Sequence, residues 1–323
     1  MKAAIYHRYG PPEVVTIGEA PTPRVGPTDI LVRVHATTVS AADWRLRKAD
    51  PFVVRLFNGL LRPVRHSILG MEFSGVVEAV GPQVSRFHPG DEVFGSPLFK
   101  LGAHAEYVCV PQDGPVALKP AALGFEEAAA VMFGALTAFG FYRRADIRPG
   151  QRVLVYGASG SVGVFAVQLA KASGAHVTGV CSARNQQIVR AIGADEVIDY
   201  ASQDFAAAGP SYDLIFETVG KSSFRRGLKA LKPGGLYLTC APMPLPMIPF
   251  LCGLLARRAG ARGVATTPGK GSTGAAAVEI ARLIEAGQMR TVIDRIFPFD
   301  EIAQAHRLAE SGHKRGHAVV KIR

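Results

Sequence analysis

RVLVYGASGSVG, residues 152–163, carries an apolar β-branched run, Val153 and Val155, straight into three glycines at 157, 160 and 163. VFAVQLAKASG follows at once with helical apolar spacing, and HVTGV at 176–180 has the composition of a second strand. Strand, tight turn, helix start and second strand are the parts of a βαβ unit that binds a dinucleotide. Gly157 permits the turn, Gly160 lets backbone approach a pyrophosphate, and Gly163 lets helix and strand pack closely. Ser159, Ser161 and Val162 complete the loop, whose N–H groups and partial positive charge face the phosphates.

The choice of dinucleotide is read at the end of the second strand. NADH needs a carboxylate there, about twenty residues beyond the glycine turn, to accept from the ribose 2′-OH. The chain instead runs Val180, Cys181, Ser182, Ala183, Arg184, Asn185. Ser182, Arg184 and Asn185 offer donors that suit a 2′-phosphate, and Arg184 adds charge. Asp195, Glu196 and Asp199 come later, around the next strand. The expected cofactor is therefore NADPH; the competing reading of Arg184 is a solvated surface cation.

With 323 residues and 48% hydrophobic content, the chain can bury a large core and form two domains of ordinary size. Residues 1–123 hold short alternating segments, AAIYHR, ILVRVHATTV, FSGVVEAVG, DEVFG and AHAEYVCV, separated by Pro and Gly turns. They predict a β-rich, barrel-like domain. Residues 124–266 open with a helical stretch, EEAAAVMFGALTAFGFYRRA, and then alternate helices with strands at 152–156, 176–180, 195–199, 212–217 and 235–240. That alternation predicts a doubly wound parallel sheet, an α/β fold. Residues 267–323, with a helix at AAAVEIARLIEAG and a last strand at HAVVKIR, are expected to return and complete the first domain.

Composition excludes several classes. Cysteines 109, 181, 240 and 252 show no CxxC spacing, so neither disulfides nor a structural zinc is expected. The longest uncharged apolar run, Ala241 to Ala256, carries prolines at 242, 244, 246 and 249 and is too short to span a bilayer. MKAAIYHRYG lacks the apolar core of a signal peptide, so the cytoplasm is expected. The net charge of +11 is dispersed, and nucleic acid is not an expected partner. Residues 51–66 mix Phe52, Leu56, Phe57, Leu60 and Leu61 with Arg55, Arg62 and Arg65. That segment suits either weak contact with an anionic membrane or packing over an active-site mouth.

GMEFSGVVEAVG at 70–81, HPGDEVFG at 88–95, AAAVMFGALTAFG at 128–140, the stretch 148–171 around the glycines, IGADEVIDY at 192–200, LKPGGLYL at 231–238 and IDRIFPFDEIAQAH at 293–306 recur in one order and spacing. In these the chain resembles the medium-chain dehydrogenase/reductase superfamily, in particular its zinc-independent quinone oxidoreductase branch. The resemblance implies a GroES-like substrate domain, a Rossmann cofactor domain and an active site in the cleft between them. Zinc-dependent members have a Cys after the second strand, a Gly-His-Glu sequence and a four-cysteine lobe. Here the first region reads VSAADW at 39–44, the second Gly70, Met71, Glu72, and Gly95 to Ala103 holds no Cys. Such a donor set leaves too few ligands for tetrahedral zinc. Glu72 is expected to be structural, paired to an arginine.

The resemblance also assigns candidate site residues. Ser40 stands where the branch often has Asn; it is expected to donate to the substrate oxygen or nicotinamide ribose, or else to cap a turn. Asp43 is expected to orient the site. Thr137 matches a threonine that faces the nicotinamide, the alternative being a helical Thr bonded to its own backbone. Tyr200 matches a tyrosine beside the adenosine phosphate, and backbone from Cys240 to Met243 is expected to meet the carboxamide. The implied function is NADPH-dependent reduction of a small electrophile, a quinone or an α,β-unsaturated carbonyl, by hydride transfer in a homodimer. The alternatives are a metal-free alcohol or carbonyl dehydrogenase, and a non-catalytic NADPH-responsive protein that binds RNA or membrane through its positive charge.

Overall fold

A computed structural model of the chain describes residues 1–240, 247–266 and 274–323, which divide into two compact units. The first comprises Met1–Phe133, Ser272–Ala286 and Thr291–Arg323. Its N-terminal part supplies β1 (Lys2–Tyr6), β2 (Val15–Glu19), β3 (Asp29–Val39), β4 (Phe73–Val80), β5 (Glu92–Gly95), β6 (Tyr107–Pro111) and β7 (Val116–Leu118). Helices α1 (Ala41–Lys48), α2 (Val54–Asn58) and α3 (Phe125–Ala129) lie between or after them. Inward residues of β3, Val32 and Val34, pack with Phe73 and Val77 of β4, Val93 of β5 and Val110 of β6, so alternation along each strand builds one apolar interior.

Helix α4 (Met132–Ala145) starts at the end of this segment and leads into the second unit, Gly134–Gly271 and Gly287–Arg290. The single helical stretch expected at 126–145 is thus two helices. No Gly or Pro stands at the break; instead Phe133 N, in the first turn of α4, donates to Glu72 Oε2 at 2.8 Å. A carboxylate 61 residues away starts a new helix by satisfying its N-terminus.

The second unit runs β8 (Arg152–Tyr156), α5 (Ser161–Ala172), β9 (His176–Cys181), α6 (Gln186–Ala191), β10 (Glu196–Asp199), β11 (Tyr212–Glu217), α7 (Phe224–Ala230), β12 (Leu231–Thr239), α8 (Met247–Arg258) and β13 (Gly263–Ala265). All pairs are parallel in the order β10-β9-β8-β11-β12-β13. Val153, Leu154 and Val155 are fully buried because helices cover both faces. Strand order reverses between β8 and β11, the switch point at whose carboxyl ends dinucleotides bind.

The chain then returns to the first unit with α9 (Gly274–Glu285), β14 (Ile293–Pro298), α10 (Ile302–Glu310) and β15 (His317–Lys321). β15 pairs antiparallel with β3 and parallel with β14, giving the order β14-β15-β3-β4-β5-β7 with β6 also on β3. AHAEYVCV becomes strand only from Tyr107, since Ala105 makes a single bridge to Ala3 instead. Short strands β2, β7 and β13 go unread because three to five residues carry too little alternation.

Candidate functional site

In the second unit the loop between β8 and α5 has the shape that its glycines predict. Gly157 sits at φ +82°, and a Cβ there would lie 2.2 Å from Val219 Cγ2. A Cβ at Gly163 would lie 2.1 Å from Gly157 O, so α5 comes this close to the turn only without a side chain. α5 begins at Gly160 with no side-chain cap, leaving a helix N-terminus of the kind that binds anions. Ser159 Oγ accepts from Asn185 Nδ2 at 2.9 Å, while Asn185 Oδ1 is buried with no protein partner. A cradle that a Cβ would fill, an uncapped helix start and an orphaned acceptor fit a dinucleotide.

Ser182, half-buried, and Arg184, exposed, follow the end of β9 beside Asn185. Asp195 and Glu196 lie at the opposite end of the sheet. Asp195 is bound by Lys171 Nζ at 2.9 Å and Val177 N at 2.7 Å, and Glu196 by His176 at 3.0 Å. Asp199, in register with Cys181, accepts from Ala201 N at 3.1 Å. Tyr200 is exposed and its N–H donates to Cys181 O at 3.2 Å. Cys240 directly follows β12, its thiol pushed up to about 12 by burial and therefore neutral. Met243 lies outside the described residues. Thr137, half-buried, stands one turn along α4 from Gly134, where a Cβ would come within 2.4 Å of Ser161 O. α4 therefore crosses the first residue of α5, with Thr137 on the crossing face.

Ser40 and Asp43 belong to the first unit, where Ser40 N-caps α1. Its N–H and Oγ donate to Asp43 Oδ2 at 2.7 and 2.6 Å, Asp43 N points back at Ser40 Oγ at 3.4 Å, and Gly70 N donates to Asp43 Oδ1 at 2.9 Å. This is a capping box with its carboxylate also holding the 70–72 segment. Glu72, buried, accepts from Thr38 Oγ1 and Phe133 N. Its hydrogen bonds therefore come from a threonine and a backbone amide, and not from the expected arginine. Burial pushes its carboxyl up to about 7, against those two bonds; Asp43 raises it further and Lys314 lowers it. Lys314 is pushed down to about 8 by burial, opposed by the charges of Glu72, Asp294 and Asp43. Nothing in the sequence around Lys314, HKRGH, separates it from a surface cation.

Residues 26–121 match the family model of the alcohol dehydrogenase GroES-like domain, and residues 192–320 that of the zinc-binding dehydrogenases. The whole chain is 33% identical to the mitochondrial NAD(P)H oxidoreductase RTN4IP1 of Bos taurus, covering 89% of that protein. The chain belongs to the medium-chain dehydrogenase/reductase superfamily. Another member, the quinone oxidoreductase of Pseudomonas aeruginosa, is 32% identical over 92% of each chain. The solved quinone oxidoreductase of Coxiella burnetii matches at TM-score 0.89 and 30% identity, covering 100% of this chain and 99% of that one. In the terms of the superfamily, the first unit carries the GroES-like fold and the second the Rossmann fold, and the protein is an NAD(P)H-dependent oxidoreductase of the quinone oxidoreductase type.

The zinc of some superfamily members does not fit these side chains. Met71 is buried in an apolar cluster with Leu69 and Leu101, Glu72 has both oxygens engaged, and Ser40 is tied to Asp43. Among the described residues no group of three or more His, Cys, Asp or Glu side chains is arranged to hold a metal ion. Trp44 and Phe133 pack against the same cluster as Met71. Glu217, which sequence reading passed over, closes β11 buried and accepts from Val219 N at 3.1 Å and Gly220 N at 2.7 Å. Its signal was an acid ending an otherwise apolar strand, YDLIFE.

Proposed function

We propose that this enzyme uses NADPH to reduce quinones or α,β-unsaturated carbonyls by direct hydride transfer, without zinc. The observation that carries the reading is the donor set Ser40, Met71 and Glu72, in which no side chain is left to act as a Lewis-acid ligand. Interconversion of a simple alcohol and ketone then lacks charge stabilisation worth several kcal/mol. A quinone or enone spreads the incoming charge onto its own oxygen, so hydrogen-bond donors suffice. When bound, the dihydronicotinamide supplies the hydride.

This chain's own residues divide the remaining work. The 157–163 loop, with Ser159, Ser161 and Val162, holds the pyrophosphate, and Ser182, Arg184 and Asn185 take the adenosine end with Tyr200 beside it. Arg184 favours NADPH because a 2′-phosphate gains a cationic donor and meets no carboxylate after β9. Thr137 and the backbone at Cys240 are assigned to the nicotinamide end, with Met243 as a further candidate. Asp43 orients the 40–43 turn and the 70–72 segment, and Ser40 contributes through that turn to the substrate side.

The test is NADPH oxidation by chelator-treated protein across a quinone and an enone series, with NADH in parallel. Turnover that survives chelation and prefers NADPH supports the reading. Reversible oxidation of simple alcohols, or tight NADPH binding with no turnover on any acceptor, would replace it with a dehydrogenase or a non-catalytic binder.

A further inference from the structure

Residues 51–66 and the turn at 98–100 place large apolar side chains in water on the first unit. Phe52, Leu56, Phe57, Leu60, Leu61 and Phe99 are each more than half exposed, Leu61 to 86% and Phe99 to 82%. Contiguous exposure of this kind marks a contact surface. A tied backbone holds these side chains outward. Asn58 is buried and spends its whole amide inward, Nδ2 donating to Tyr6 Oη at 2.9 Å and Oδ1 accepting from His66 N at 3.0 Å. Val64 N donates to Asn58 O at 2.7 Å, and Tyr9 Oη to Gly59 O at 2.8 Å. With its base fastened, the loop has no core for Leu56, Phe57, Leu60 and Leu61 to enter. Backbone at Lys100 faces the His66 imidazole and favours its charged form, so the Phe99 turn adjoins the 51–66 loop.

The charge on this patch has one sign. No Asp or Glu occurs from Pro51 to Met71, while Arg55, Arg62 and Arg65 do, and Lys100 adjoins Phe99. The Arg55 guanidinium lies 4.9 Å from the Tyr9 ring centroid and 5.4 Å from that of Phe52, so cation and apolar surface share one level. We propose that this patch docks the protein on an anionic lipid bilayer, the leucines and phenylalanines entering the acyl boundary while the arginines meet headgroup phosphates. A second copy of the chain is a poorer occupant. A symmetric contact would set the same arginines face to face with no carboxylate between them. Docking does not depend on which acceptor the enzyme reduces.

The test is co-sedimentation of the full chain with vesicles of phosphatidylcholine alone and with about 30% phosphatidylserine added. Binding is expected to the anionic vesicles and to weaken in about 0.5 M salt. It should fall about tenfold for Leu56→Ser/Leu61→Ser/Phe99→Ser and for Arg62→Glu/Arg65→Glu, with NADPH affinity and Tm as folding controls. Leu61→Trp, which leaves the loop's anchors intact, should shift its fluorescence to the blue on the same vesicles. No binding to anionic vesicles overturns the proposal, as does full binding by the triple serine variant, which would assign the affinity to net charge. Self-association without lipid that the same variant abolishes overturns it in favour of a second copy.

Discussion

Gly163 shows how far one residue's chemistry reaches. Its missing side chain lets α5 begin against Gly157 O, so Gly163→Ala must push the helix start away from the turn. NADPH affinity, measured by calorimetry, should fall about tenfold or more while the far-UV CD spectrum is kept. Arg184→Ala tests the other end of the cofactor. The ratio of kcat/KM with NADPH to that with NADH should drop about tenfold, through the NADPH value alone. Equal losses with both cofactors would remove Arg184 from the phosphate contact. The glycine turn was legible in the sequence because tight-turn sterics are a local property. The Asn185 bond to Ser159 was not, since its partners stand 26 residues apart and meet only when β8 and β9 pair.

At the scale of elements, the start of α4 depends on Glu72. Burial raises this carboxyl from 4.5 in the unfolded chain to about 7 in the folded protein. The folded state therefore holds the proton more tightly, and the stabilisation is complete below pH 4.5 and lost as pH rises through about 7. Thermal melts at stepped pH should show a loss on the order of 3 kcal/mol over that window, flattened in Glu72→Gln. An unchanged slope in the variant would place the titration on another group. The same carboxylate explains why an alanine-rich run with no breaker splits at Val131: helix propensity is continuous there, but a tertiary hydrogen bond is available only to the second helix. Ser40 is the reverse case. Its capping box with Asp43 lies within four residues, and the spacing Ser-x-x-Asp was present in the sequence.

Across the whole molecule, no helix among the described residues is long and apolar enough to cross a membrane. Exhaustive chelation should leave quinone reduction by NADPH within about twofold of its starting rate; a loss restored by added zinc would mean that a ligand set outside Ser40, Met71 and Glu72 exists. The parallel sheet of the second unit, its glycine turn, the absent acid after β9 and the β-rich character of the first unit were determined by the sequence itself. Periodicity, turn sterics and the presence or absence of a functional group need no partner to be read. Tertiary structure alone decided that Glu72 starts a helix, that Met71 is core, that Lys314 is drawn toward neutrality, and that Leu61 and Phe99 face water while similar residues are buried. Each of these depends on which distant atoms arrive within hydrogen-bond or van der Waals range, and burial, unlike periodicity, is a property of that arrival.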